Sequence, residues 1–252
     1  MPVKEKVCGA PRLWDTMVMG TPLCPGCAHG IISGIIAQVI DEMGIEGKSI
    51  VVSGAGCAAL AMAGFKLDRT WGAHGRPPDI ATGIKRVHPE AVVFTVQGDG
   101  DLLAIGSDPL IGALTRGEII TIFMFNNTAF GTTGGQMAPT TLSGQVTPTT
   151  PSGRSPSEGY PVHAAEMIAT FKGVAYSARG SVNNAANCRT AKKYISAAFE
   201  KQINNVGLSF VEILSACPVQ WHLSPLKAIR RLEDEVMAEY PLGEFKNVNK
   251  IG

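Results

Sequence analysis

Five short runs of β-branched and apolar residues recur along the chain, and polar or amphipathic stretches separate them. Nearly continuous apolar runs are typical of strands buried on both faces, and helical stretches between them predict crossover connections. The pattern therefore predicts an α/β fold, with a mainly parallel sheet and helices on both faces. The predicted strands cover residues 49–53, 91–96, 119–125, 174–177 and 208–214, and the predicted helices cover residues 30–43, 79–87, 103–115, 162–171, 187–204 and 225–240.

Residues 128–161 break this alternation because they are dense in Gly, Pro, Thr and Ser, with Arg154 and Glu158 as their only charges. Long structureless segments inside compact domains are usually lids, binding loops or interface segments, and the alternative is a flexible surface insertion. We divide the chain into an N-terminal extension (1–22), a main domain that contains this loop (23–218), and a C-terminal helix and tail (219–252) that we expect at a subunit interface.

The charge balance excludes some functions. The chain has 252 residues, with 22 Lys and Arg against 21 Asp and Glu, and a formal charge of +1. Binders of nucleic acid or anionic membranes usually have a basic excess, so we expect neither partner. Only 17% of the residues are charged. Globular chains usually carry about a quarter, so we expect part of the surface to be buried against other subunits.

Targeting and cysteine signals favour a cytoplasmic protein. No apolar run is long enough to span a membrane, and the beginning of the chain lacks the apolar core of a signal peptide. The six cysteines are therefore expected to be metal ligands or inert thiols rather than a disulfide framework.

Two polar motifs follow neighbouring predicted strands. One strand ends in Gly98-Asp99-Gly100-Asp101, and the next is followed by the sequence NNTA, which contains Asn127 and Ala129. The carboxyl ends of parallel strands are where open α/β sheets bind ligands, and glycines there allow phosphate to approach the backbone. A carboxylate, an amide oxygen and the Ala129 carbonyl suit Mg²⁺ shared with a diphosphate. The alternative is an ordinary turn and an Asn-rich loop.

Four cysteines lie where they can converge. Cys24 and Cys27 form a CxxC, Cys57 follows the first predicted strand, and Cys217 follows the last. Alone, the CxxC fits half of a zinc site or a redox disulfide. A set of four thiolates holds either Zn²⁺ or an iron–sulfur cluster, and the spacing does not choose between them.

The paired motifs and the cysteines together carry a family resemblance. GDG followed by NN resembles the thiamine diphosphate motif. The wider phrases are similar, in the same order over about residues 23–218, to the β subunits of 2-oxoacid:ferredoxin oxidoreductases: CPGCAHG, SGAGC, AHGR, ATGIKRVHP, QGDGDLLAIG, FNNTAFGTTGGQMAPTT and SFVEILSACP.

This resemblance implies a thiamine diphosphate-binding fold and assigns site residues. It implies one [4Fe–4S] cluster on Cys24, Cys27, Cys57 and Cys217, and Mg²⁺ on Asp99, Asn127 and Ala129. The expected thiamine diphosphate contacts are Ala55, Gly56, Cys57, Ala58, His74, Gly98, Gly100, Asp101, Gly131 and Thr132. Cys8 and Cys188 do not match the family's ligands, and we interpret both as bystanders.

The resemblance also implies the reaction and the partners. The expected reaction is oxidative decarboxylation of a 2-oxoacid to acyl-CoA and CO₂, with electrons passing through the cluster to ferredoxin. The carboxylate that activates the aminopyrimidine ring belongs to an α partner subunit, so we expect no catalytic residue on this chain and no activity without that partner. γ and ferredoxin-like δ subunits also occur in such assemblies. The alternatives are a non-redox thiamine diphosphate decarboxylase or synthase half, and a zinc-stabilised structural subunit.

The substrate is the least determined expectation. Many relatives read YGMTGGQ or YGLTKGQ where this chain has Phe130-Gly131-Thr132-Thr133-Gly134. An apolar stretch follows Cys57, and the phrases QMAPTTLSGQ and CPVQW are similar to the branched-chain subgroup. We therefore expect 2-oxoisovalerate or another branched-chain 2-oxoacid, or 2-oxoglutarate. Pyruvate enzymes share the same motifs.

Overall fold

A seven-stranded sheet forms the centre of the molecule. A computed structural model describes Leu13 and residues 23–251. The strand order is β2-β1-β3-β4-β6-β5-β7, and every neighbouring pair is parallel except β5 and β7, which are antiparallel. This arrangement confirms the predicted mainly parallel α/β sheet. The strands are β1 (Ser49–Ser53), β2 (Asp68–Trp71), β3 (Val92–Gly98), β4 (Thr121–Asn126), β5 (Val174–Ser181), β6 (Leu208–Leu214) and β7 (Gly243–Asn247).

Helices cover both faces of this sheet. The α-helices are α1 (His29–Met43), α2 (Cys57–Ala61), α3 (Pro77–Val87), α4 (Ser107–Arg116), α5 (Ala164–Ala169), α6 (Ala185–Ile203), α7 (Pro225–Arg231) and α8 (Met237–Glu239). One buried cluster joins α1, α2 and α6 to one face, and a second joins α3, α4 and α5 to the other. The side chains of β1 show why: Val51 belongs to the first cluster and Val52 to the second. Successive residues of a strand face opposite sides, so apolar residues at both positions bury both faces.

The sequence pattern missed the two edge strands. The residues of β2 are mostly exposed, and β7 carries Glu244 and Lys246. Neither strand has the apolar run that marks the buried strands. His74 follows β2 and precedes α3.

Two predicted helices also differ. The sequence predicts one helix over residues 103–115. The structure instead has a π-helical segment, Gly100–Ile105, directly after Asp99, and α4 follows it. The C-terminal helix predicted over residues 225–240 is α7, a π-helical turn (Leu232–Val236) and α8. Of its predicted apolar positions, Leu232 and Val236 are buried, whereas Leu226 is 74% exposed.

Residues 128–161 fold back against the end of the sheet through hydrogen bonds to the backbone. Arg154 is buried, and its guanidinium donates to the carbonyls of Pro139 (3.0 Å), Thr141 (2.5 Å) and Tyr160 (2.8 Å). A buried charge without such partners would be strongly destabilising. Arg154 thus donates hydrogen bonds to backbone carbonyls that belong to no helix or strand.

The remaining expectations concern the ends of the chain and the membrane. The predicted N-terminal extension, apart from Leu13, and Cys8 lie outside the described residues. In the part of the chain that the structure describes, no helix combines the length and apolar character needed to cross a bilayer.

Candidate functional site

A cavity of about 160 Å³ opens at the carboxyl ends of β1, β3 and β4. All ten residues expected to contact thiamine diphosphate and all three expected to hold Mg²⁺ line it. They are Ala55, Gly56, Cys57, Ala58, His74, Gly98, Asp99, Gly100, Asp101, Asn127, Ala129, Gly131 and Thr132. They come together because parallel strands bring their carboxyl ends to one edge, where β3 pairs with β4 up to Gly98 and Phe125.

Three oxygens converge on one side of this cavity. Asn127 Oδ1 lies 3.1 Å from Asp99 Oδ1 and 2.9 Å from the Ala129 carbonyl oxygen. Turning the Asn127 amide over would instead let its nitrogen donate to both oxygens. Without a cation the protein favours the turned amide, whereas a cation favours the three converging oxygens. Adjacent ligands of an octahedral Mg²⁺ ion lie about 2.9 Å apart, so the oxygen set fits that ion.

Asp99 lies in a setting that favours a bound cation. It is buried, and it accepts hydrogen bonds from Gly100 N at 2.9 Å and from the Thr140 hydroxyl. Burial raises the pKa of Asp99 to about 7, although both hydrogen bonds act in the opposite direction. Burial removes the water that would stabilise the ionised carboxylate, and a neighbouring cation would stabilise it instead.

Asp101 organises the opposite wall rather than presenting a free carboxylate. Its Oδ1 accepts a hydrogen bond from Gly75 N at 2.6 Å and lies 2.5 Å from His74 Nδ1. Its Oδ2 accepts from Gln97 Nε2 at 3.1 Å. With Nδ1 held by Asp101, the Nε2 of His74 is the ring nitrogen left for a ligand.

The first Asn of the NN motif builds the loop that follows β4. Asn126 Oδ1 accepts from Thr128 N at 3.0 Å, and Thr128 has a left-handed backbone with φ of 58°. Asn126 Nδ2 donates to Glu212 Oε1 at 2.7 Å, and Glu212 is held in turn by Arg179 at 2.8 Å. This buried network fixes the sharp turn that places Asn127 and Ala129 over the cavity.

The four cysteine segments meet beside the same cavity. A side chain at Gly26 would collide with Pro225, at 2.7 Å, and would lie 3.2 Å from Pro218, so the CxxC turn packs against the turn that contains Cys217. The Cys57 sulfur is on the cavity wall, 3.0 Å from the Thr132 hydroxyl. Cys217, Cys57 and Cys24 are near enough that negative charge on any of them would raise the pKa of Cys27. The structure therefore brings the four predicted ligands within electrostatic reach of one another.

The buried cysteines are poorly suited to remain bare thiolates. Burial raises the pKa of Cys27 to about 12, against a hydrogen bond from the backbone of His29. Burial also raises the pKa of Cys217, opposed by hydrogen bonds from the Gln220 backbone and the Asn127 side chain. A metal centre deprotonates its thiol ligands outright and would offset this penalty, and the N–H groups around the sulfurs suit a cluster. Among the described residues, no three His, Cys, Asp or Glu side chains are grouped closely enough to hold a single metal ion.

Several residues at the site were missed by the sequence analysis or interpreted as structural. His29 lines the cavity, and burial lowers its pKa to about 4, which keeps it neutral. Thr140 reaches Asp99 from 41 positions away. Gln97 and Thr140 stand in the matching phrases, which was the one available signal for them. Trp221 is buried as expected and donates to the Asn127 carbonyl at 3.2 Å.

The apolar stretch after Cys57 is mostly core. Of its residues, Ala58 reaches the cavity, whereas Ala61 and Met62 pack in the cluster between α1 and the sheet. This stretch therefore gives little support to a branched-chain substrate.

Comparisons with known proteins agree with this geometry. Residues 54–213 match the family model described as "Thiamine pyrophosphate enzyme, C-terminal TPP binding domain". The chain is 41% identical, over 90% of its length and 48% of the relative's, to "Ketoisovalerate oxidoreductase subunit VorA" of Methanothermobacter thermautotrophicus. It is 32% identical, over 87% of its length and 78% of the relative's, to "2-oxoglutarate synthase subunit KorB" of Archaeoglobus fulgidus. The chain thus spans about half the length of the VorA relatives and most of the KorB relative.

A solved structure has the same fold. It is described as 2-oxoglutarate:ferredoxin oxidoreductase from Magnetococcus marinus, with 2-oxoglutarate, coenzyme A and succinyl-CoA bound. The match has a TM-score of 0.78 and 23% identity and covers 98% of this chain and 87% of that one. The chain belongs to the family of 2-oxoacid:ferredoxin oxidoreductase subunits that carry the thiamine pyrophosphate-binding domain.

Proposed function

We propose that this chain is the β subunit of a coenzyme A-acylating 2-oxoacid:ferredoxin oxidoreductase, with a thiamine diphosphate–Mg²⁺ half-site and one [4Fe–4S] cluster. The observation that carries this proposal is the shared wall of the cavity. Asn127 faces the converging oxygens and also hydrogen-bonds to Cys217, and Cys57 lines the cavity itself. A non-redox thiamine enzyme would have no use for these four cysteines.

The residues of this chain would have distinct roles at the site. Asp99, Asn127 and the Ala129 carbonyl would hold Mg²⁺, while His74 and the glycine-rich backbone around Gly98 and Gly131 would receive the diphosphate. Ala55, Gly56 and Ala58 would contact the rest of the cofactor. Bound thiamine diphosphate supplies the carbanion-stabilising chemistry that the decarboxylation of a 2-oxoacid needs.

The four cysteines would hold the cluster that takes electrons from this chemistry to ferredoxin. Because Cys57 lines the cavity, it would hold such a cluster beside the residues that would bind thiamine diphosphate. Cys188 hydrogen-bonds to Val182 on another part of the fold and stays a bystander in the proposal. Zinc in place of the cluster would leave a structural subunit without an electron-transfer role.

The relatives favour a branched-chain substrate. The two VorA relatives, named for ketoisovalerate, are 41% and 42% identical to the chain, whereas the KorB relatives named for 2-oxoglutarate synthase are 30–32% identical. We therefore propose 2-oxoisovalerate or another branched-chain 2-oxoacid ahead of 2-oxoglutarate.

The proposal includes partners because the family resemblance assigns one essential group of the thiamine site to another subunit. An α subunit would supply the carboxylate for the aminopyrimidine ring, and γ and ferredoxin-like δ subunits would complete the assembly. CoA and ferredoxin would be the co-substrates, and the assembly would work in the cytoplasm, where ferredoxin accepts electrons.

Anaerobic purification of the chain with its co-expressed partner subunits tests this function. We expect four irons and four acid-labile sulfides in this subunit, and an optical absorption that bleaches with CoA and 2-oxoisovalerate faster than with 2-oxoglutarate or pyruvate. One zinc and no colour in oxygen-free material would contradict the electron-transfer role. An intact cluster that no 2-oxoacid bleaches, in complex loaded with thiamine diphosphate and Mg²⁺, would contradict the reaction.

A further inference from the structure

The Thr132 hydroxyl lies 3.0 Å from the sulfur of Cys57, within hydrogen-bond distance. Two further contacts place the loop after β4 over this sulfur. A Cβ atom at Gly131 would lie 3.2 Å from Cys57 Sγ, and a Cβ atom at Gly56 would lie 3.8 Å from Thr132 Oγ1. The glycine at position 131 thus allows the loop after β4 to lie close to the sulfur.

Hydrogen bonds hold Thr132 in this place. Phe130 N donates to the Gln136 carbonyl at 3.0 Å, and Gly135 N donates to the Phe130 carbonyl at 2.8 Å, which closes a turn around Thr132. Gln220 Nε2 donates to the Gly131 carbonyl at 2.7 Å and ties this turn to the segment after Cys217. The hydroxyl is therefore presented to the sulfur by a braced turn rather than by a free loop.

The direction of this hydrogen bond depends on what Cys57 holds. With Cys57 as a free thiol, either atom can donate. A thiolate ligand has no hydrogen, so only the Thr132 hydroxyl can then donate. We propose that Thr132 is a positioning residue that donates a hydrogen bond to a ligand sulfur of the iron–sulfur cluster and raises the reduction potential of that cluster. This inference rests on the proposed function, because it requires the cluster.

The physical reason is electrostatic. One-electron reduction adds negative charge to the cluster and its sulfur ligands, and a hydrogen bond donated to sulfur stabilises that charge. Hydrogen bonds to the sulfurs are among the factors that set cluster potentials. Position 132 is also where this chain departs from the Met or Leu of many relatives, so the hydroxyl is not a general feature of the family pattern.

The test is a redox titration of the purified complex followed by EPR of the reduced cluster. Thr132→Val keeps the shape of the side chain and removes the donor, Thr132→Ala is a second variant without it, and Thr132→Ser retains it. Thr133→Val is the matched control, because the neighbouring Thr133 hydroxyl donates to Gln136 Oε1 at 2.7 Å instead of to a cysteine.

We expect Thr132→Val and Thr132→Ala to lower the equilibrium constant for cluster reduction about fivefold, equal to a midpoint about 40 mV more negative. Thr132→Ser and Thr133→Val should keep the wild-type midpoint.

An unchanged midpoint in both variants without the hydroxyl would overturn the inference and leave the proposed function intact. Failure of both to assemble the cluster, while Thr132→Ser assembles it, would also overturn it, in favour of a role in assembly. A wild-type complex without iron would instead contradict the proposed function.

Discussion

The two sides of the cavity differ in how the protein prepares them. The oxygen side, which we define as Asp99, Asn127 and Ala129, is surrounded by hydrogen bonds from the protein's own groups, such as Gly100 N and Thr140. On the cysteine side, defined as the four predicted cluster ligands Cys24, Cys27, Cys57 and Cys217, burial raises the pKa of Cys27 and Cys217. The oxygen side is thus held in place by the protein's own hydrogen bonds. Cys27 and Cys217 are therefore more stable as thiols, and a bound metal centre would deprotonate them.

The largest expected effect is a loss of the iron–sulfur cluster that leaves thiamine diphosphate binding almost unchanged. Cys27→Ala removes one ligand and should abolish the [4Fe–4S] absorption, since such clusters are held by four cysteine thiolates. Thiamine diphosphate affinity should change by no more than a few fold because hydrogen bonds that do not involve the cysteines hold the oxygen side. Iron analysis and calorimetric titration of the complex measure the two effects, and Cys188→Ala is the control that keeps four irons. Equal loss of iron and cofactor binding would show that the sides are not independent.

The converse variant is Asp99→Asn. It keeps the size of the side chain but removes the charge that a cation needs, and even the loss of an outer-shell partner weakens metal binding about 10–100-fold. We expect Mg²⁺-dependent thiamine diphosphate affinity to fall about a hundredfold or more, with iron content unchanged. The control is Asp108→Asn, whose side chain is 92% exposed. Unchanged affinity in Asp99→Asn would exclude Asp99 as the Mg²⁺ ligand.

Arg154→Ala tests whether the long loop maintains the oxygen side. Removing the guanidinium takes a donor away from the carbonyls of Pro139, Thr141 and Tyr160, at a cost of about 2 kcal/mol. Hydrogen exchange of residues 137–160 should accelerate about 30-fold, whereas that of β6 should not change. The exposed Arg189→Ala is the control. Equal exchange in both variants would mean that other contacts order the loop.

Gly54→Ala should have the smallest effect. An added Cβ atom would lie 2.8 Å from Asp101 Cγ, so it would push Asp101 away from His74 and Gly75. We expect cofactor affinity to fall about tenfold, because a displaced positioning group costs about 1.4 kcal/mol or more. Gly34→Ala, with open space around its Cβ position in α1, should leave affinity unchanged. An unchanged affinity in Gly54→Ala would show that Asp101 and His74 do not position the cofactor.

Apolar runs in the sequence predict much of this fold, but they do not predict the strands at the edges of the sheet. The strands β1 and β6 have the bounds that the sequence predicted, because both are buried and mainly apolar. The edge strands β2 and β7 gain their structure from pairing with β1 and β5, which no local pattern reveals. Tertiary pairing decides such segments.

The residues of the site likewise include some that the sequence predicts and some that it does not. Motif residues such as Asp99 and Asn127 were predictable because strand ends bring them together. Thr140 and Gln145 were not, because they return through the long loop to contact Asp99 and the Thr128 carbonyl. The bond from Thr132 to Cys57 spans 75 positions and is likewise invisible in the sequence.

The central claim is that a cofactor bound at the oxygen side would pass electrons from a 2-oxoacid to a cluster held by the cysteine side. Its most direct test is stopped-flow bleaching of the cluster by a 2-oxoacid and CoA in wild type and Asp99→Asn complexes. Both complexes should contain four irons and bleach with dithionite. With the 2-oxoacid, we predict rapid bleaching in the wild type and at least a hundredfold slower bleaching in Asp99→Asn, at a cofactor concentration that saturates only the wild type. Equal rates in the two complexes would contradict the account.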